Sequence, residues 1–259
     1  MAKHWTRILA AGATLFLLAA AGVASAEKPV KVQVGDVIAG FNAGVRPKRL
    51  PESKPAPVAF SFVSNVATAS GSQPPQLRKI VFEADKNIAV NAKGVPVCSL
   101  GKLQAQGTKV AKGVCARAIV GRGRMSIRVQ FPQEAPFIAR GTLLAFNGGS
   151  RGGKATILLR AYLSNPVAAA VVTVMKISRI HKGRLGLKFV AAVPTAAGGF
   201  GSTVGFRLKI GRKFTYKGKR QGYLLATCPD GHLDVLGTAV FQGAPSVSAQ
   251  TDRRCTRKA

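Results

Sequence analysis

Polar and apolar residues alternate along much of the chain with a period of two. In Arg124–Phe131, Met125, Ile127, Val129 and Phe131 interleave with Arg124, Ser126, Arg128 and Gln130. That spacing predicts a strand with one face in a core and a basic face in water. Similar alternation recurs at Phe60–Ser64, Lys79–Asp85, Thr156–Leu163, Leu185–Val193, Phe206–Ile210, Tyr223–Thr227 and Leu233–Phe241. No stretch of comparable quality carries a helical period. Turn signals punctuate the runs at Gly121-Arg122-Gly123, Asn147-Gly148-Gly149, Gly198-Gly199 and Pro229-Asp230-Gly231, as hairpins require. Many short strands with frequent turns predict an all-β protein, an antiparallel β-sandwich built as two packed lobes. One short helix or loop is expected between Cys98 and Cys115.

The flanking segments set the domain boundaries. Residues 1–26 join a basic start (Lys3, Arg7), an apolar run from Ile8 to Val23 and the small-residue site Ala24-Ser25-Ala26, the pattern of a cleaved signal peptide. The run is shorter than a bilayer span, so no transmembrane segment is expected after cleavage. Residues 27–58 carry Pro29, Pro47, Pro51, Pro55 and Pro57. They are expected to form an extended opening segment with at most one strand, around Val30–Val34. Asn165-Pro166 then divides an N-terminal β lobe, 59–164, from a C-terminal one, 165–259.

Four cysteines, Cys98, Cys115, Cys228 and Cys255, all lie beyond the leader. An even count in an exported chain predicts two disulfides. Three pairings are open, and Cys98–Cys115 with Cys228–Cys255 closes the shortest loops. The spacing lacks the close Cys/His pairs of a zinc site.

The order of these landmarks resembles a family. Gly94-Val95-Pro96-Val97-Cys98, Cys115 followed by Ala118-Ile119-Val120-Gly121-Arg122-Gly123, Leu143-Leu144-Ala145-Phe146-Asn147, Val193-Pro194 with Gly198 to Ser202, Cys228, Phe241-Gln242-Gly243 and Cys255 together resemble uncharacterised, signal-peptide-bearing secreted proteins of high-GC actinobacteria. The likeness runs from about Pro57 to Cys255 and implies an exported, disulfide-bonded, β-rich protein. It implies no activity. Members of that family often carry Phe-x-Asp-Gly where this chain has Phe241-Gln242-Gly243.

Charge narrows the chemistry further. Lys and Arg number 39 against 9 Asp and Glu, a formal net charge of +30, and removal of the leader leaves most of that excess in place. Such an imbalance predicts anionic partners. Arg122, Arg124 and Arg128 share one strand face, Arg207 and Lys209 another, and Lys213, Lys217, Lys219 and Arg220 cluster around Phe214–Gly222. These nine are the expected contacts for an anionic envelope polymer or an acidic protein surface. Binding of that kind weakens with salt through counterion release. Nucleic acid is disfavoured because export removes the chain from the genome and no aromatic residues interleave with the basic runs.

Catalytic readings are weaker. Gly148–Ala155 nearly matches a phosphate loop, but Ala155 stands where the magnesium-holding Ser or Thr belongs and a strand follows it. No nucleotide or other cofactor is therefore expected. Gly148-Gly149-Ser150-Arg151-Gly152 has the spacing of a nucleophile elbow without its strand-turn-helix setting; beyond the leader only His181 and His232 are available as partners, and a hydrolase pairing Ser150 with His232 is a weak reading. Glu83 and Asp85 fall on one strand face, and Asp230, His232 and Asp234 have period-two spacing. These two groups carry the alternative reading, an envelope-modifying hydrolase using paired carboxylates or a metal. The turn signal at Pro229-Asp230-Gly231 argues against the metal register. The favoured expectation is a non-catalytic binding or structural protein, secreted or held at the cell envelope.

Overall fold

Strands account for nearly every ordered segment. The structure, a computed structural model, describes residues 29–104, 108–151, 154–165 and 168–258. The expected leader, residues 1–26, and residues 152–153 lie outside them. In chain order the strands are β1 (Val30–Val34), β2 (Val37–Arg46), β3 (Arg49–Pro51), β4 (Ala56–Thr68), β5 (Leu77–Asp85), β6 (Ile88–Val90), β7 (Ile119–Val129), β8 (Phe137–Arg151) and β9 (Lys154–Asn165). They continue as β10 (Ala169–Lys182), β11 (Leu185–Ala192), β12 (Gly201–Ile210), β13 (Lys213–Tyr216), β14 (Lys219–Gly222), β15 (Leu224–Ala226), β16 (His232–Phe241), β17 (Val247–Arg254) and β18 (Thr256–Lys258). The helix α1 (Thr108–Val114) falls between Cys98 and Cys115, as the sequence leads one to expect.

One antiparallel path carries the architecture: β1-β2-β4-β12-β7-β8-β9-β10-β11-β5-β16-β17. Its two ends meet. Val32 and Val34 of β1 pack with Val247 at the start of β17, and Arg253 of β17 donates from Nη2 to Asn42 Oδ1 of β2 at 2.6 Å. The sheet therefore curls into a nearly closed, barrel-like wrap, whose end strands β1 and β17 meet through side chains rather than through a backbone ladder. Inside it Phe41, Phe60, Phe62, Phe82, Ile157, Met175, Phe189, Leu208 and Val235 form the main core. Phe62 and Phe82 pack against each other there with tilted rings, their centroids 4.7 Å apart.

Three expectations change. The two halves on either side of Asn165 share a single ladder: β4 pairs β12, and β5 pairs both β11 and β16. Asn165 ends β9, and Pro166 lies outside the described residues. The opening segment 27–58 is not merely extended, since it carries β1, β2 and β3 and begins β4. Val37, Ala39, Phe41, Ala43 and Val45 of β2 are all buried. Four of its prolines leave these strands intact because Pro47 and Pro55 fall between strands, Pro51 ends β3 and Pro57 is the second residue of β4. Gly121-Arg122-Gly123 is strand rather than turn. A Cβ on Gly123 would lie 1.9 Å from the Arg207 carbonyl oxygen and one on Gly121 2.7 Å from that of Lys209, so glycine here lets β7 and β12 approach closely.

Both disulfides have the local pairing, Cys98–Cys115 and Cys228–Cys255. The first joins Cys98 to the end of α1, and Leu103, Ala111, Cys115 and Ala118 pack with Leu144, Phe146 and Leu158 in a cluster separate from the main core. Asn147 Nδ2 anchors the chain just before Cys98 by donating to the carbonyls of Val95 and Pro96 at 3.0 and 3.2 Å. The second fastens the end of β17 beside β18, which pairs in parallel with β3. No helix among the described residues is long and apolar enough to cross a membrane. Two closed disulfides fit a location outside the cytoplasm.

Candidate anion-binding face

Two neighbouring strands put their outward positions in register. In the β7–β12 pair, Arg124 stands directly opposite Arg207, and Arg122 opposite Lys209. All four are exposed. Directly opposed side chains in an antiparallel pair have Cβ atoms about 4.5–5.5 Å apart. Successive positions on one face are about 7 Å apart along the strand. The four cations thus form a two-by-two block. Among the described residues, none of the ion pairs or side-chain hydrogen bonds involves any of them.

The face continues on both sides. On β8, Arg140 is exposed and stands opposite Ser126, two residues beyond Arg124 on the same face. Arg128 lies roughly 13 Å from Arg124 along β7 and donates from Nη1 to the Gly71 carbonyl at 3.2 Å. On the other side, Ser61 and Val63 of β4 are the partners of Lys209 and Arg207. These two residues also line a polar pocket of about 180 Å³ with Arg46, Lys48, Arg253 and Arg254. Its lining includes four basic residues and no carboxylate. Arg253 is only 3% exposed.

The expected contact set is therefore split. Arg122, Arg124, Arg207 and Lys209 come together, with Arg128 further along the same face. Lys213, Lys217, Lys219 and Arg220 sit apart, on the separate β13–β14 hairpin. Nothing in the sequence pattern singles out Arg140 or the four pocket cations. The dipeptide Arg253-Arg254 is plain in the sequence, but its meeting with Arg46 and Lys48 follows from closure of the sheet.

The acids gather elsewhere, around one guanidinium. Arg184, in the turn between β10 and β11, bonds Asp230 through Nη1 and Nη2. Its Nη2 also reaches Asp85 at 3.2 Å and its Nε reaches Asp234 at 3.0 Å. Asp85 is fully buried and accepts from the backbone N–H of Asn87 and of Asp234. The hydrogen bond from Arg184 holds the Asp230 carboxyl down to about 2. Burial pushes Asp234 up, opposed by the Arg184 charge. Hydrogen bonding to Asp230 raises Arg184 still further above its ordinary value. His232 Nδ1 lies 2.7 Å from Asp252 Oδ2 across the β16–β17 pair.

Asp230 and Asp234 meet on the Arg184 guanidinium, whereas the His232 ring is engaged by Asp252, so the three side chains do not form one ligand set. No group of three or more His, Cys, Asp or Glu side chains among the described residues is placed to hold a metal ion. Glu83 turns away from Asp85 in its bonding, pairing with Lys182 and Lys188 at 3.4 and 3.3 Å. Ser150 lies near the end of β8, in a hairpin leading to β9 rather than to a helix, so the elbow geometry is not met. In comparisons with known proteins, no family model, no curated sequence and no solved structure matches the chain.

Proposed function

We propose that the protein is a secreted or envelope-held, non-catalytic binding protein that takes up anionic polymers on the outer face of its β12–β7 pair. The reading rests on the two-by-two block of Arg122, Arg124, Arg207 and Lys209. Like charges directly opposed across strands repel, and a polyanion laid along the face relieves that repulsion while releasing its own counterions. The pocket of Arg46, Lys48, Arg253 and Arg254 extends the track across β4. A leader at 1–26 delivers the chain to an exterior where such polymers are found.

The test is elution from a sulfated-polysaccharide column in a salt gradient. A face variant, R122Q/R124Q/R207Q/K209Q, is compared with a charge-matched control, K31Q/K93Q/K102Q/K109Q. By counterion release, losing four polymer contacts lowers the log–log salt slope by about 3. The face variant is expected to elute at clearly lower salt than the control. Co-elution of the two would refute a localised site and leave only generic surface charge.

A further inference from the structure

The wrap is not filled evenly. An apolar cavity of about 160 Å³ lies between β5, β7, β8, β9, β10, β11 and β12. Native interiors hold few voids larger than a water molecule, and an apolar cavity of about 150 Å³ stays dry and accepts small apolar ligands. The sequence keeps this space open with alanines: Ala161, Ala169, Ala191, Ala196 and Ala197 all line it. Two smaller voids, of about 30 and 20 Å³, share the Phe82 wall with it. The first also shares Phe206 and the second Met175. Free space is thus distributed along the interior and bordered by adaptable side chains, an arrangement that suits a flexible chain better than a rigid ring.

The cavity has a mouth. The β10–β11 ladder begins at Met175–Ala191. Beyond that point β10 pairs only with β9, and β11 only with β5. The backbone ladder ends there, although Thr173 Oγ1 still donates to the Ala192 carbonyl at 2.5 Å, and the lining changes from buried Met175 through half-buried Thr173, Val171 and Ala169 to exposed Pro194 and Thr195. A cation stands at this rim: Arg78 Nη1 donates to Thr195 Oγ1 at 2.9 Å.

We infer that this cavity is a binding site for the alkyl chain of a single-chain anionic amphipath, entering between β10 and the 193–197 segment with its headgroup at Arg78. This site is independent of the polymer face, which lies outside the wrap. The two can succeed or fail separately.

Decanoate is the probe. Two of the chain's three methionines, Met125 and Met175, line the cavity, so 13C-methyl methionine resonances report directly on occupancy. Saturable one-to-one binding is expected, with both resonances shifted. A191F, which fills the cavity, is expected to weaken binding at least tenfold. A161L is a milder filling that serves if A191F fails to fold. R78Q should reduce the preference for decanoate over decanol several-fold, and R124Q/R207Q should leave decanoate binding unchanged. Unshifted Met125 and Met175 resonances at high decanoate would overturn the inference. So would non-saturable uptake of many molecules, or loss of binding in R124Q/R207Q with none in folded A161L, since both describe adsorption to the basic exterior.

Discussion

Replacing Arg184 by Met tests whether the acidic cluster is structural. Arg184 is 39% exposed, but the Asp85 side chain it neutralises is fully buried and that of Asp234 is only 11% exposed. Breaking a buried ion pair by removing one partner costs about 3–5 kcal/mol, because a charge is left uncompensated. Asp85 keeps its two backbone N–H donors, from Asn87 and Asp234, and water reaches the exposed side of the site. The lower end, about 3 kcal/mol, is therefore the expectation. For a chain of this length that corresponds to a Tm lowered by about 6–12 °C.

Urea and thermal unfolding at neutral pH measure the loss directly. Adding D85N to R184M removes the stranded charge, so the double variant should recover part of the stability. Lower pH should do the same. Without the guanidinium the Asp234 carboxyl, which burial already pushes up against the Arg184 charge, titrates higher still in the folded state. A raised acid destabilises above its folded value and is relieved as protonation proceeds. The deficit of R184M should therefore shrink as the pH falls from 7 toward 5. A deficit under about 1 kcal/mol, or one indifferent to both D85N and pH, would refute the assignment of Arg184 as the clamp of a buried cluster.

Other outcomes follow from the same geometry. Serine replacement of Cys228 and Cys255, 27 residues apart, should cost about 3.5 kcal/mol by chain entropy, and of Cys98 and Cys115, 17 apart, about 3; unchanged urea midpoints would contradict this. G123A, whose Cβ would meet backbone at 1.9 Å, should cost at least ~1–3 kcal/mol, whereas G205A, with its nearest atom at 3.4 Å, should unfold within ~0.5 kcal/mol of the parent; equal midpoints would show that β7 and β12 are not pressed together at Gly123. Asp230, held down to about 2, stabilises above its unfolded value near 4 and loses that contribution as the pH falls through about 2. D230N should therefore show a flatter loss of stability between pH 4 and 2 than the parent, and identical profiles would argue against the Arg184–Asp230 pairing.

Strands with bulky alternation are legible in the sequence alone. β5, β9, β11 and β16 declare themselves through Phe, Leu, Ile and Val at every second position. β8 does not, because Gly141, Gly148 and Gly149 interrupt the pattern where strands or side chains approach closely, and β2, although Val37, Ala39, Phe41, Ala43 and Val45 alternate, lies in a stretch whose prolines read as extended chain. β10 is hidden because both its faces are partly apolar, Val172 and Val174 packing against the cluster around Leu144 and Phe146 while Met175 and Ile177 enter the core. The cations of β7 and β12 are readable as two faces, but their alignment depends on a register spanning some 80 residues. Closure of the sheet, and with it the Arg46–Arg253 pocket, rests on contacts between the chain's first and last strands, for which no local pattern exists.

That closure also governs how the molecule comes into being. β4 must find β12 and β5 must find β16, each across roughly 150 positions, before β17 can seal against β2. Ladders between such distant segments form slowly, since loop closure precedes any gain from contact. The local run β7-β8-β9-β10-β11 can assemble while the chain is still emerging, but the wrap cannot close until β16 and β17 have been made. A chain of this design remains threadable until its last strand is free, and only then, once β17 is seated, does the bond between Cys228 and Cys255 turn a late event into a permanent one.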